Sequence, residues 1–279
     1  MASRVRKPAV AGSWYPGDRP ALAGEVDAWL AAAAPREPVG RLVGLVAPHA
    51  GLRYSGAVAA QAYALLRGRR SLTAVLVGPS HRVAFDGVAV YAHGAFETPL
   101  GMVRVAEDVA AALLAADPGI REDPWPHREE HSLEMQLPFL QRVVPDVRIV
   151  PVLLGSQARA EVELAATALA AALAGRDAVI VASTDLSHYQ PAARAADLDA
   201  RVTECVGALD AAALMARLDA YRGHACGGGA LAAAMKAARA LGATRGEVLR
   251  YADSGDVEGG DKSRVVGYMA AAFTAPAPA

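Results

Sequence analysis

Three short apolar runs along the chain each stop at a proline, glycine or serine and then deliver a histidine. Val43-Gly44-Leu45-Val46-Ala47 leads into Pro48, His49, Ala50 and Gly51. Val75-Leu76-Val77 leads into Gly78, Pro79, Ser80 and His81, and Val179-Ile180-Val181-Ala182 into Ser183, Thr184, Asp185, Leu186, Ser187 and His188. Runs bounded in this way read as buried strands entering loops, so each histidine is expected where the carboxyl end of a strand meets solvent. A single histidine after a strand is usually a hydrogen-bonded loop residue. Three in the same topological place point to one site, because ligands of open α/β sheets bind outside the carboxyl ends of parallel strands.

The remaining pattern supplies the frame. Residues 21–34 have a helical repeat with Leu22, Val26, Trp29 and Leu30 on one face, followed by a link at Pro35 and Pro38. Strands are predicted at 42–47 and 71–77, with a helix at 56–66 between them and Ser55 as its N-cap. A right-handed crossover makes those strands parallel and could bring His49 and His81 together. Residues 86–105 read as short extended segments forming a local hairpin, and 106–116 as a helix. A polar loop at 125–134 feeds a helix with the stripe Leu133, Leu137, Leu140 and Val144, in which Pro138 predicts a kink. A strand at 147–154, a helix at 158–173 and the strand at 178–183 follow. Then come a long helical region at 192–220, a helix at 230–241, strands at 247–251 and 265–273, and a frayed Pro-Ala tail at 275–279. The prediction is a single α/β domain over residues 1–279, with a central, mostly parallel sheet flanked by helices.

Composition narrows the function classes. The 279 residues are 53% hydrophobic, enough to bury a large core. A formal net charge of −1 leaves no basic surplus for a phosphate backbone, which disfavours nucleic acid as a partner. No run has signal-peptide or membrane-spanning length, and two cysteines suit a reducing compartment, so a cytoplasmic location away from membranes is expected.

The candidate chemistry lies in His49, His81, Asp185, His188 and Cys226, with Glu130, His131 and His224 similar in character. Imidazoles with one anionic ligand suit zinc, iron or copper, and a thiolate tilts the set towards softer or redox-active ions. Cys205 falls on the apolar stripe of Leu198, Val202 and Leu209 and reads as core. Cys226 precedes Gly227, Gly228 and Gly229 at a helix start, where a thiolate is expected to be stabilised. A serine or cysteine nucleophile (Ser80, Ser187 or Cys226) with a histidine base is the competing chemistry, without a GxSxG elbow to support it. Arg128 to Glu130 reads as a solvated loop, His131 as a partner that orients a ligand, and Trp14, Tyr15 and Trp125 as packing under the N-terminal arm in preference to lining a pocket.

Several motifs together carry a resemblance. They are the N-terminal Arg6-Lys7-Pro8-Ala9-Val10-Ala11-Gly12-Ser13-Trp14-Tyr15, then Pro48-His49-Ala50-Gly51 with Tyr54-Ser55-Gly56, and Gly78-Pro79-Ser80-His81. Glu130-His131-Ser132-Leu133-Glu134, Ser183-Thr184-Asp185-Leu186-Ser187-His188-Tyr189 and Cys226-Gly227 complete the set. Over nearly the whole chain the sequence resembles the Memo family, protein B of the AMMECR1, Memo and radical-SAM gene grouping.

The resemblance implies a fold similar to the class III extradiol ring-cleaving dioxygenases, which hold non-haem iron with two histidines and a glutamate. His49 and His81 match the two ligand histidines, Cys226 the family's pocket cysteine, and Asp185 and His188 further pocket positions. A thiolate in place of a carboxylate departs from the two-His, one-carboxylate set of ring cleavage, and Asp185 is the alternative third ligand. The function expected from this is an iron- or copper-dependent oxidoreductase of an unknown small-molecule substrate, with zinc also possible. His188, Asp185 and His131 are the candidates for catalytic roles, His188 or His131 as general base. AMMECR1-like and radical-SAM proteins are the implied protein partners. Two other functions stay open: an interaction or metal-handling module with a vestigial pocket, and a zinc hydrolase.

Overall fold

The chain, seen in a computed structural model that describes residues 4–36, 39–257 and 259–277, begins with the short strand β1 (Val5–Arg6). Helix α1 (Arg19–Ala32) starts two residues before its apolar repeat, because the Asp18 side chain accepts from the Ala21 amide at 2.9 Å and Pro20 suits the first turn. Strand β2 (Arg41–Ala47) is followed almost at once by α2 (Leu52–Tyr63). That helix begins four residues earlier than predicted. Gly51 is its cap, and the Ser55 hydroxyl donates back to the Ala50 carbonyl from inside the first turn. Gly56 is required there, since a Cβ would stand 2.7 Å from the Trp29 indole nitrogen where α1 crosses α2.

Strand β3 (Ser71–Pro79) precedes β4 (Val88–Val90), β5 (Ala95–Thr98) and β6 (Gly101–Val105). The last two form the expected antiparallel hairpin. After α3 (Glu107–Ala116) and β7 (Ile120–Glu122) comes α4 (Leu137–Val143). Pro138 lies in the first turn of α4, where a missing N–H costs nothing, so it starts the helix and does not kink it. Strand β8 (Asp146–Leu154), helix α5 (Arg159–Leu173), β9 (Ala178–Ser183) and β10 (His188–Gln190) follow.

The helical region predicted over 192–220 is made of two helices, α6 (Ala192–Gly207) and α7 (Ala211–Ala220). Leu209 turns to φ +52°, and Asp210 caps α7 through the Ala213 amide at 2.9 Å. Helix α8 (Gly228–Ala240) and the antiparallel pair β11 (Arg245–Asp253) and β12 (Val265–Ala275) close the fold. Pro38 and the end of the Pro-Ala tail lie outside the described residues.

The strands join in one sheet, ordered β1-β5-β6-β8-β3-β9-β2-β12-β10 along its main path. From β6 to β2 every neighbour is parallel. Such strands are covered on both faces, which is why β3 is buried from Leu72 to Pro79. Helices α1, α2 and α4 pack together, with α2 on β2 and β12; α3, α5, α7 and α8 form a second group, with α8 on β2, β3 and β9. Alanine and glycine make up most of α8, which is buried around nearly its whole circumference and sits close on the strands. No helix among the described residues is long and apolar enough to cross a membrane.

One detail of the order matters for the site. Strand β9 is inserted between β2 and β3, with Ala47 opposite Ser183 and Val77 opposite Ala182. All three histidine-bearing loops therefore leave the sheet at one edge, and His49 and His81 face each other across the end of β9.

Candidate metal centre

At that edge a nitrogen of His49, a nitrogen of His81 and the sulfur of Cys226 all lie within 4.8 Å of one another. The Cys226 Sγ is 3.2 Å from His49 Nε2, and the two imidazole rings meet edge to face at 5.1 Å. Two donors on a tetrahedral ion with bonds of about 2.0 to 2.3 Å stand about 3.5 Å apart, so the set fits one transition-metal ion.

Hydrogen bonds settle which nitrogen each histidine presents. The Tyr63 hydroxyl donates to Gln136 Oε1 at 2.6 Å, which orients the amide so that Nε2 donates to Ser183 Oγ at 2.9 Å. Ser183 in turn donates to the Ser132 carbonyl at 2.7 Å. The lone pair left on Ser183 faces His49 Nδ1 at 2.8 Å, so Nδ1 carries the proton and Nε2 is free. Glu130 acts likewise on His81: its Oε1 is 2.9 Å from Nδ1, and its other oxygen accepts from the His81 amide. Both imidazoles are thus held at Nδ1, which leaves Nε2 of each to face the cleft, the arrangement that orients metal-binding histidines.

Burial keeps His49 and Cys226 neutral while no ion is bound. Burial lowers His49 to about 3, aided by the neighbouring His81. Burial also raises the Cys226 thiol well above its usual range, and the Asp185 carboxyl adds to the rise. This corrects the expectation of a stabilised thiolate. Cys226 stands one residue before the Gly227 cap of α8, and Gln157 Oε1 accepts from the Gly229 amide at 2.9 Å, so the helix start serves Gln157. A neutral thiol beside a neutral imidazole is the reverse of the ion pair that activates a cysteine nucleophile. Ser80 is similarly engaged, donating to the Val83 carbonyl at 2.7 Å.

The other sequence candidates separate. Asp185 is 3% exposed, and its Oδ1 accepts from the His49 amide at 2.7 Å, so it shapes the His49 loop and joins neither donor triad. His188 is also outside both triads; its Nδ1 bonds the Leu186 carbonyl at 2.8 Å, leaving Nε2 free. His131 does reach the site. It stacks on His81 at 4.6 Å, lies under Trp14 at 4.3 Å, and with His81 and Glu130 forms a second cluster within 4.8 Å. Glu130, expected in a solvated loop, is 2% exposed. Burial alone would raise its carboxyl, but the hydrogen bond and charge of His81, the charge of His131 and the Ser132 amide together lower it to about 2. His224 is buried in a turn before α8, outside both clusters, and Cys205 is core on α6 as its stripe implied.

Four contributors were given no role by the sequence, although Ser183 and Glu134 stand within the motifs that carry the resemblance. Ser183 and Gln136 orient His49, as described. Asp199 on α6 accepts from the Ser187 amide at 2.9 Å and the Tyr251 hydroxyl at 2.9 Å, holding the His188 loop. Glu134 pairs with buried Arg6 and accepts from the amides of Ala9 and Val10 and from the Tyr15 hydroxyl, tying the N-terminal arm under the site. Tyr15 is therefore packing, as expected, whereas Trp125 is 60% exposed.

A mostly parallel sheet flanked by helices, with a candidate metal-binding cleft at the carboxyl ends of its strands, makes this an α/β protein whose architecture is consistent with an extradiol dioxygenase-like fold. The family described as Memo-like protein matches residues 6–272, and the chain belongs to the Memo family. A MEMO1 family protein of Methanopyrus kandleri is 40% identical over 285 residues, covering 96% of this chain and 98% of that relative. One from Methanothermobacter thermautotrophicus is 39% identical over 274 residues, covering 95% and 98%.

Proposed function

We propose that this Memo family protein is a metal-dependent oxidoreductase acting on a small-molecule substrate, with iron or copper held by His49, His81 and Cys226. The observation that carries the reading is the convergence of two oriented Nε2 lone pairs and one thiol within 4.8 Å. Two imidazoles with a sulfur donor suit a softer, redox-active ion better than magnesium or calcium. When bound, such an ion supplies one-electron chemistry and a Lewis acid at the cleft.

The chain's own groups do the rest. Ser183 and Glu130 keep the two Nδ1 protons in place, so neither ligand histidine can turn its lone pair away. His188, half-buried with Nε2 free, takes a proton from the substrate as general base. His131 and Trp14 wall the cleft and exclude water. Cys226 is taken as the third ligand because Asp185 Oδ1 accepts from the His49 amide and Glu130, although clustered with His81 and His131, holds His81 and the Ser132 amide. Ring cleavage through a two-His, one-carboxylate set is therefore not part of the proposal.

Metal analysis of protein purified without added metal tests it. Iron or copper near one per chain, lost in Cys226→Ser and in His49→Ala, is the expected result. Zinc alone would move the reading to a hydrolase, and a metal-free protein that takes up neither iron nor copper would overturn it in favour of a non-catalytic module.

A further inference from the structure

Beside the candidate metal centre a cavity of about 480 Å³ has a charge character that the centre does not require. It shares Ala50 with the His49 loop and Tyr189 with the His188 loop, so it opens next to the reacting edge of the sheet. Arg53, in the first turn of α2, and Arg264, just before β12, both line it. Each guanidinium lies over a tyrosine ring, Arg53 over Tyr54 at 5.9 Å and Arg264 over Tyr189 at 5.4 Å. Among the described residues neither makes an ion pair, whereas Arg4, Lys7, Arg142, Arg159 and Lys262 all do.

The acid that lines the cavity among the described residues is already engaged. Asp261 accepts from the Ser263 amide and the Ser263 hydroxyl, each at 2.7 Å. The segment that carries Arg264 is held in place: Lys262 bridges Asp253 at 2.8 Å and Asp256 at 2.6 Å, and Ser254 Oγ accepts from the Val266 amide at 3.0 Å. Val257, Val266 and Tyr268 complete the wall with apolar surface. Two forked cations oriented over aromatic rings, with no acid paired to them among the described residues and apolar surface beside them, match a ligand that has an anionic head and an apolar body.

We infer that this cavity is the substrate subsite and that the substrate is a small organic acid, its carboxylate held by Arg53 and Arg264 while its body reaches towards His49 and His188. The inference rests on the reading of the His49 centre as the place of reaction, but its test does not depend on turnover. Binding of phenylacetate and of phenylacetamide to the full chain is compared by titration calorimetry, for the unmodified protein, R53Q, R264Q and the double variant. Metal content is measured on the same samples.

The expected result is that the acid binds at least about tenfold tighter than its neutral amide, the size of one charge-assisted contact, and that each substitution removes most of that preference. R264K, which keeps the charge but loses the fork, is expected to fall between. Equal binding of acid and amide by the unmodified protein, or an undiminished preference in the double variant, overturns the inference. A clear acid preference in protein that holds no metal supports this subsite while removing the metal reading. No preference in metal-loaded protein does the opposite.

Discussion

The carboxylate of Glu130 holds His81 at two points, its backbone amide and its ring Nδ1, the latter at 2.9 Å. The imidazole can neither rotate nor change tautomer without breaking a charge-assisted bond to a buried carboxylate, although the His81 ring itself is partly open to solvent. Glu130→Gln keeps the shape and removes the charge. It is expected to weaken metal affinity by about 10- to 100-fold, read by competition titration with a chelator of known affinity. Unchanged affinity would mean that His81 is oriented by something else.

Metal uptake is expected to depend on pH with a definite sign. The Cys226 thiol is raised by burial and by Asp185, so it is protonated in the empty site and must release its proton when it binds an ion. His49, lowered to about 3, is already neutral. Apparent affinity should then rise about tenfold per pH unit across the neutral range. In Cys226→Ser that slope should flatten as affinity falls; an unchanged slope would remove the sulfur from the site.

Acid should destabilise the fold well before the carboxylates titrate. His49, His127 and His131 each fall from 6.5 to about 3, chiefly through burial, so in the folded state they stay neutral where the unfolded chain protonates them. A folded value below the unfolded one means stability present above pH 6.5 and lost progressively as pH falls towards about 3. Denaturant midpoints measured from neutral pH downwards should decline across this window. His127→Gln lies away from the candidate ligands, its ring at the Ala89 carbonyl, and should make the decline shallower. A flat profile would contradict the burial of these rings.

The N-terminal arm is held by a buried ion pair, Arg6 with Glu134, both side chains at most 2% exposed. Removing one partner leaves an uncompensated charge in the interior, at a cost of about 3 to 5 kcal/mol. Arg6→Ala should therefore lower unfolding free energy by about that amount, measured by chemical denaturation, and expose the arm to limited proteolysis. A loss below about 1 kcal/mol would show that Glu134 finds other partners or takes up a proton.

The local pattern of apolar residues determined more than the element types. Short β-branched runs ending in proline, glycine or serine made His49, His81 and His188 share one edge, since a parallel sheet sends its carboxyl ends the same way. The stripe through Cys205 placed it in the core for the same reason, that periodicity reports which side of a local element is buried.

What that pattern could not carry is the identity of partners far apart in the chain. A charged run containing Glu130 looks like a solvated loop until His81, 49 positions earlier, is folded against it. Ser183 and Gln136 are ordinary polar residues until the insertion of β9 between β2 and β3 brings them under His49. Asp185 reads from its motif as an alternative third ligand, and only the path of the His49 loop turns one of its oxygens to a backbone amide. The directions of lone pairs and the cost of burying a charge depend on all the groups that surround a residue. Tertiary structure alone assembles those groups, and it decides which way each donor in the cleft points.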